Sequence, residues 1–195
     1  MPPNLGLLQK SAGDTVRALE SYMEAVKIRK SLMEKHPNVL EYHHLLANTL
    51  NNLGDLQREN GDTVMAEASY KKAQDIYEKL VNLDSEAQKY QNGLAASYMG
   101  LGILKQNTDD AVEANKYYVN AVGILNDLAK NHPDMPKYKN YLAFTQNNWG
   151  NLQSDGNNVV EAQASYSNAV KLFETLVIKH PNCNTKAVWH LAITT

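Results

Sequence analysis

The sequence has little cysteine and no long apolar run. Cys183 is the one cysteine in 195 residues, which excludes an internal disulfide framework and fits a reducing compartment. No stretch is long and apolar enough to cross a membrane. The first ten residues, MPPNLGLLQK, lack the charged and apolar regions of a secretion signal. We therefore predict a cytoplasmic protein that has no membrane partner.

An excess of charge of one sign is also lacking. The chain has 19 basic and 21 acidic residues, a net charge of −2, and so has no electrostatic footprint for nucleic acid or anionic lipid. Glycine and proline number only 10 and 6, while hydrophobic residues at 43% and charged residues at 21% are ordinary values for globular proteins. These values exclude disordered and collagen-like classes and favour a helix-rich, soluble chain.

What the sequence does contain is a repeat of 48 residues. Several columns of identical residues keep this spacing over four copies. The clearest columns are Gly6, Gly54, Gly102 and Gly150; Ala18, Ala66, Ala114 and Ala162; Tyr22, Tyr70, Tyr118 and Tyr166; and Ala25, Ala73, Ala121 and Ala169. A period of this size predicts copies that stack, because one copy cannot bury its apolar face alone.

Each copy has the start and stop signals of two helices. Between its halves stands a pair whose first member tolerates the left-handed conformation that ends a helix, and whose second member can cap the next helix. These pairs are Gly13-Asp14, Gly61-Asp62, Asp109-Asp110 and Asn157-Asn158. Between copies, Pro37, Pro133 and Pro181 end a helix. The signals predict helices over 15–36, 39–59, 63–83, 87–107, 111–131, 135–154 and 159–180, with a partial helix at each end.

Candidate catalytic and metal-binding residues are few. No Ser/His/acid or Cys/His set stands out, and there is no kinase motif. His43 and His44 are adjacent and point about 100° apart on a helix, so they cannot face one metal ion together. His36, His132 and His180 share one repeat position, which favours a structural role such as capping helix carbonyls. We predict a non-enzymatic protein without cofactor or metal.

The repeat resembles the tetratricopeptide repeat. Leu53-Gly54, Ala66, Tyr70 and Ala73 match the family's pattern, with steps of 12, 4 and 3 after the glycine, and the other copies match likewise. The resemblance covers essentially the whole chain. It implies an all-α, right-handed superhelical solenoid of antiparallel helix pairs, a single domain over 1–195.

The period departs from that of the family. The usual period is about 34 residues, so each helix here has about seven extra residues, which is two turns. Seven residues nearly restore the same helix face, and the apolar stripe is therefore expected to continue. The added residues include Tyr42, Leu45, Leu46, Tyr77 and Leu80.

One sequence motif indicates a subgroup of the family. The sequence Leu-Asn-Asn-Leu-Gly over 50–54, echoed at 147–150, is similar to the kinesin-light-chain-like subgroup. The 48-residue period is also similar to repeats appended to bacterial serine/threonine kinases, notably in planctomycetes.

The resemblance implies protein binding. In the family, extended peptides lie along the first helices of successive repeats, at positions just before and after the Leu-Gly pair. The residues at these positions are Asn4 in repeat 1; Asn48, Asn51, Asn52 and Asp55 in repeat 2; and Asn147, Asn148 and Asn151 in repeat 4. A carboxamide both donates and accepts, so such a ladder can pair with a peptide main chain. The alternative is that the asparagines tie neighbouring helices together or face water.

Repeat 3 departs from the asparagine ladder. Its equivalent residues are Met99, Gly100 and Ile103, which predict an apolar patch that receives a hydrophobic side chain. The carboxylate-clamp members of the family use lysine and arginine beside asparagine. A clamp is not expected here, because only Lys10, Arg58 and Lys105 lie near the turn end of these helices.

The two ends of the sequence fall inside first helices. The last residues, 189–195, match the start of another first helix after an insertion of one residue. We therefore expect a fragment of a longer array, or a homo-oligomer in which open repeat ends complete one another. The main functional hypothesis is a protein-interaction module that binds an extended peptide or partner segment in the concave groove. The alternative is a structural module that assembles through its uncapped ends.

Overall fold

The computed structural model describes residues 6, 9–10 and 13–179. Within that part, residues 6 and 9–10 are helical, residues 15–179 contain seven α-helices, and there is no strand. They are α1 (Thr15–Lys35), α2 (Leu40–Glu59), α3 (Thr63–Leu83), α4 (Gln88–Asn107), α5 (Ala111–Asn131), α6 (Pro136–Asp155) and α7 (Val159–Lys179). Every boundary lies within one residue of the predicted one. The prediction of seven long helices is confirmed. Asn4, His180, Cys183 and the partial helix expected at the C-terminus lie outside the described residues.

The chain divides into two compact units, one up to Leu104 and one from Lys105 onward. In the N-terminal unit, α1 packs on α2 and α2 packs on α3; in the C-terminal unit, α5 packs on α6 and α6 packs on α7. The helices α2, α4 and α6 are the first helices of their repeats, and α1, α3, α5 and α7 are the second helices. A single domain over 1–195 stays a prediction.

The turns inside the repeats form as the sequence predicts. Gly13, Gly61, Asp109 and Asn157 all have a positive φ, between 58° and 80°. After three of them, an aspartate caps the next helix. The carboxylates of Asp14, Asp62 and Asp110 accept hydrogen bonds from the main-chain N–H groups of Arg17, Met65 and Glu113, at 3.2, 3.2 and 3.3 Å. These caps satisfy N–H groups that have no partner within a helix.

Tyrosine rings fill the space between successive helices. Tyr70 on α3 is 1% exposed. A Cβ atom placed on Gly54 of α2 would lie 2.7 Å from the Cε1 atom of this ring, and one placed on Gly100 of α4 would lie 2.5 Å from it. The ring therefore occupies a slot between two first helices that only glycine leaves open. Gly6 faces Tyr22, and Gly150 faces Tyr166, in the same way.

The two added turns extend this core. Tyr77, Leu80 and Leu46 are buried, while Tyr42 and Leu45 are half-buried. Gly93 of α4 gives Tyr77 its space, because a Cβ atom at this position would overlap the tyrosine ring. The added residues thus lie on the buried face, as a seven-residue insertion requires.

Two polar columns, neither of them predicted from the sequence, add to the core. Gln9, Gln57 and Gln153 each accept a hydrogen bond from a serine on the next helix, Ser21, Ser69 and Ser165, at 2.7 Å in every case. Thr49, Ser97 and Thr145 form a buried hydroxyl column, and each donates to the main-chain oxygen four residues earlier. Both columns keep the 48-residue spacing.

The histidines before proline are structural in a different way from the predicted one. The main-chain N–H of His36, not its ring, donates to the carbonyl of Leu32 and caps α1. The ring packs against Tyr42 at 5.8 Å between centroids, and that of His132 packs against Tyr138 at 6.0 Å.

We predict that Gly93→Ala destabilises the chain by about 1–3 kcal/mol, because the added methyl group overlaps the buried ring of Tyr77. The matched control is Gly123→Ala on α5, where an added Cβ meets nothing within 4 Å. That variant should gain about 0.5–1 kcal/mol from helix propensity. Chemical unfolding followed by circular dichroism measures both changes in stability. Equal effects of the two substitutions would contradict the close packing of Gly93 on the ring of Tyr77.

Candidate functional site

The structure separates the predicted peptide-binding residues into three groups. The first group is bonded inside the protein. Asn51 of α2 is 6% exposed; its Nδ2 atom donates to the carbonyl oxygen of Gly93 at 3.0 Å, and its Oδ1 atom accepts from the hydroxyl of Ser97 at 2.9 Å. Asn51 therefore ties α2 to α4. Asn147 occupies the same repeat position and is half-buried, but its carboxamide has no bond to a described residue.

The second group supports the tyrosines of the second helices. The hydroxyl of Tyr70 donates to Asp55 at 2.6 Å, and that of Tyr166 donates to Asn151 at 2.7 Å. Asp55 and Asn151 share one repeat position, at which repeat 3 has Ile103. Isoleucine cannot accept a hydrogen bond, and the hydroxyl of Tyr118 donates instead to Gln106, at 2.9 Å.

The third group has carboxamides that no described residue bonds. Asn48 is exposed, and Asn52 and Asn148 are half-buried. Asn48 and Asn52 lie one turn apart on α2, so their side chains are neighbours on one helix face. Asn148 is the repeat-4 equivalent of Asn52. Met99 and Ile103 are half-buried on α4. Of the predicted residues, Asn48, Asn52, Asn147 and Asn148 have polar groups that a ligand can use.

The charges beside Asp55 form a small cluster at the turn end of α2. The ammonium of Lys10 lies 2.9 Å from the carboxylate of Glu59, and the guanidinium of Arg58 lies 3.9 Å from it. Burial raises the pKa of Asp55, although the bond from Tyr70 and the nearby Arg58 and Lys10 oppose this rise. Since Lys10 and Arg58 lie beside acidic partners, the cluster does not present a free cationic pair for a carboxylate.

No metal-ligand cluster and no membrane-spanning helix occur in the part of the chain that the structure describes. No group of three or more His, Cys, Asp and Glu side chains there could hold a metal ion. None of those helices is long and apolar enough to cross a membrane. His43 bonds the carbonyl of Pro37 at 2.9 Å, and His44 lies between the rings of Tyr77 and Tyr90.

The repeat pattern and the helix pairs agree with comparisons to known proteins. Residues 47–80 match the family model described as tetratricopeptide repeat. The chain therefore contains a segment similar to one tetratricopeptide repeat. The matched stretch has the length of one ordinary repeat, about 34 residues, and so covers less than the 48-residue period. No curated protein matches the sequence significantly.

A solved structure shows the same fold. The crystal structure of BtubC (BKLC) from P. vanneervenii is similar, with a TM-score of 0.61 and 21% sequence identity over 83% of this chain. The chain spans 58% of the length of BtubC. The fold is thus an all-α solenoid of tetratricopeptide-like helix pairs, as predicted. Such repeats are generally non-enzymatic and indicate a protein-interaction or scaffold module. The handedness and the subgroup stay predictions.

We predict that Asp55→Asn raises the free energy of unfolding at pH 7. Because the pKa of Asp55 is raised in the folded chain, its ionised form is less favourable there than in the unfolded chain. Stability from this group therefore falls as pH rises from the unfolded pKa, about 3.9, through the folded pKa. Asparagine keeps the acceptor for Tyr70, as Asn151 does for Tyr166.

Denaturant unfolding at pH 7 and pH 3 measures this effect. The gain should be present at pH 7 and absent at pH 3, where the carboxyl of Asp55 is protonated in both states. Asp75→Asn, which alters an exposed carboxylate on α3, serves as the control and should show no such difference. A loss at pH 7 would show that attraction to Arg58 and Lys10 outweighs burial.

Proposed function

We propose that the chain is a non-enzymatic module that binds an extended segment of a partner protein along the faces of its first helices. The observation that carries the proposal is the set of ladder carboxamides left without a described partner, which includes Asn48, Asn52 and Asn148. They stand beside residues of the same ladder that are bonded internally, such as Asn51 and Asp55. Some asparagines form hydrogen bonds inside the protein, and others have carboxamides that are available to a ligand.

These carboxamides suit the main chain of a peptide. Each offers one acceptor and two donors, which match the alternating C=O and N–H groups of an extended segment without reading its side chains. Met99 and Ile103 on α4 add a half-buried apolar surface, at which a hydrophobic residue of the partner would be buried. A contact of this size supports a dissociation constant of about micromolar order for one short peptide.

The triple variant Asn48→Ala, Asn52→Ala and Asn148→Ala tests the proposal. Peptides are first selected with the native chain from a random library displayed on phage, and then titrated against the variant. We expect at least a tenfold loss of affinity, about 1.4 kcal/mol, and an unchanged circular dichroism spectrum. Asn120→Ala, which removes an exposed carboxamide from α5, should leave affinity unchanged. Equal affinity of the native chain and the triple variant would contradict this role.

A structural or assembly role is the second candidate, and one observation favours it. A hollow of about 630 Å³ lies along α7, lined by residues that include Val159, Tyr166 and Val170. Tyr166 packs on Gly150 and is half-buried. Tyr70, its equivalent in repeat 2, is covered from both sides, by Gly54 and Gly100. The first helix of another repeat would pack in the hollow against α7, in the way that α4 packs against α3.

If this face joins chains, Val170→Asp should abolish the association. Val170 is 40% exposed and lines the hollow, so a carboxylate there would be buried in the contact. Light scattering over a range of chain concentrations measures the mass. Val119→Asp, which alters a valine of α5 that is 46% exposed, is the control. A native chain that stays monomeric at every concentration would contradict the assembly role and leave the groove proposal intact.

A further inference from the structure

The C-terminal unit has a polar cleft that the proposed peptide surface does not use. It encloses about 340 Å³ and lies where α5, α6 and α7 meet. Three carboxamides, Asn126, Gln146 and Asn168, line it together with Lys171 and Thr175. Leucine side chains complete the lining.

Gln146 is the unusual member of this lining. It is 6% exposed, and its Oε1 atom is buried without a hydrogen-bond partner among the described residues. The equivalent residues in repeats 2 and 3 have no buried polar atom without a hydrogen-bond partner. Leu50 is a buried apolar side chain, and the hydroxyl of Tyr98 donates to Glu78 at 3.0 Å. A buried acceptor left unpaired is unfavourable, and a donor from a ligand would relieve it once the side chain turns its Oε1 atom toward the cleft.

Gly123 is a second unusual residue, one turn before Asn126 on the same helix face. Glycine in a helix interior is unfavourable and is usually explained by close packing. Gly54, Gly93, Gly100 and Gly150 all meet tyrosine rings, but a Cβ atom on Gly123 would meet nothing within 4 Å. Packing therefore does not require this glycine. Its repeat equivalents are Lys27, Asp75 and Lys171, which are larger. Asn126 lines the cleft, and the glycine leaves the exposed helix surface one turn before it without a side chain.

The chemistry of the lining defines the ligand. The ammonium of Lys171 is its single charge, and no acidic residue lines the cleft. The carboxamides match amide groups, because each both donates and accepts. We propose that this cleft binds an acidic residue within an extended peptide, with the carboxylate on Lys171 and a peptide N–H donated to Oε1 of Gln146.

This site is distinct from the surface of Asn48, Asn52 and Asn148. Gln146 and Asn148 are two residues apart on α6, so their side chains point about 200° apart around the helix. The cleft also uses the second helices α5 and α7, which carry none of those three residues. Binding at one site can therefore fail in an experiment while binding at the other is retained.

Two blocked amino acids serve as probes: N-acetyl-aspartate N-methylamide, which has the carboxylate, and N-acetyl-asparagine N-methylamide, which does not. Two-dimensional NMR follows the side-chain amide signals of Gln146, Asn126 and Asn168. We expect saturable shifts with the acidic probe, at a dissociation constant of about millimolar order for so small a ligand. The neutral probe and acetate should each bind at least tenfold more weakly.

Three variants connect the binding to the two unusual residues. Gln146→Leu, which installs the residue of repeat 2, should weaken binding of the acidic probe at least tenfold. Gly123→Lys, which restores a long side chain, should weaken it too, whereas Gly123→Ala should leave it unchanged. Binding of acetate as tight as the acidic probe would identify a site for free carboxylates and overturn the peptide assignment. Equal binding of both blocked probes, or no shift at the three amides, would overturn the proposal.

Thermal unfolding of the free chain gives an independent measurement. Gln146→Leu should raise the unfolding midpoint, because it removes the unpaired acceptor and places leucine where Leu50 is buried in repeat 2. A lower midpoint would show that the amide of Gln146 is already satisfied in the free protein, and would overturn the proposal.

Discussion

The close approach of first and second helices around a tyrosine ring is the contact on which the rest of the structure depends. Tyr70 is held between Gly54 and Gly100, and this one ring sets the distance of α3 from two first helices. A side chain on either glycine would push the helices apart. The serine–glutamine bonds, such as that of Ser69 with Gln57 at 2.7 Å, form only because the helices are this close. Packing at the ring thus makes polar contacts between the helices possible.

Much of the fold follows from local signals in the sequence. Helix ends could be predicted to within one residue, because most of them lie at a cap, a left-handed residue or a proline whose effect is local. The glycine–tyrosine slots could be predicted because identical residues recur at a fixed spacing. The glutamine–serine pairs keep the same spacing. Paired polar columns at this spacing are a signal in the sequence. The signal is weakened in repeat 3, where Lys105 and Tyr117 replace the glutamine and the serine.

The candidate site was less predictable, for a physical reason. Asn51 and Asn52 are neighbours of the same type, yet one is buried and bonded and the other is half-exposed without a described partner. Adjacent residues on a helix point about 100° apart, so the rotation of α2 about its own axis decides which asparagine faces Ser97. Motif position alone does not fix that rotation. The packing of Gly54 on Tyr70 fixes the rotation of α2. The packing of Gly93 on Tyr77 and of Gly100 on Tyr70 places α4 against the same helix, α3, and brings residues of different helices together.

The hydrogen bonds of Asn51 have a consequence for how the chain opens. They join the first helix of repeat 2 to the first helix of repeat 3, so neither helix can leave without breaking buried polar bonds. In a linear array, stability is a sum of terms for each repeat and for each contact between neighbours. The hydrogen bonds of Asn51 stabilise the contact between neighbouring repeats and do not change the stability of either repeat alone. The first helices of repeats 2 and 3 should therefore exchange their protected amide hydrogens as one cooperative unit, so that local fraying does not separate them.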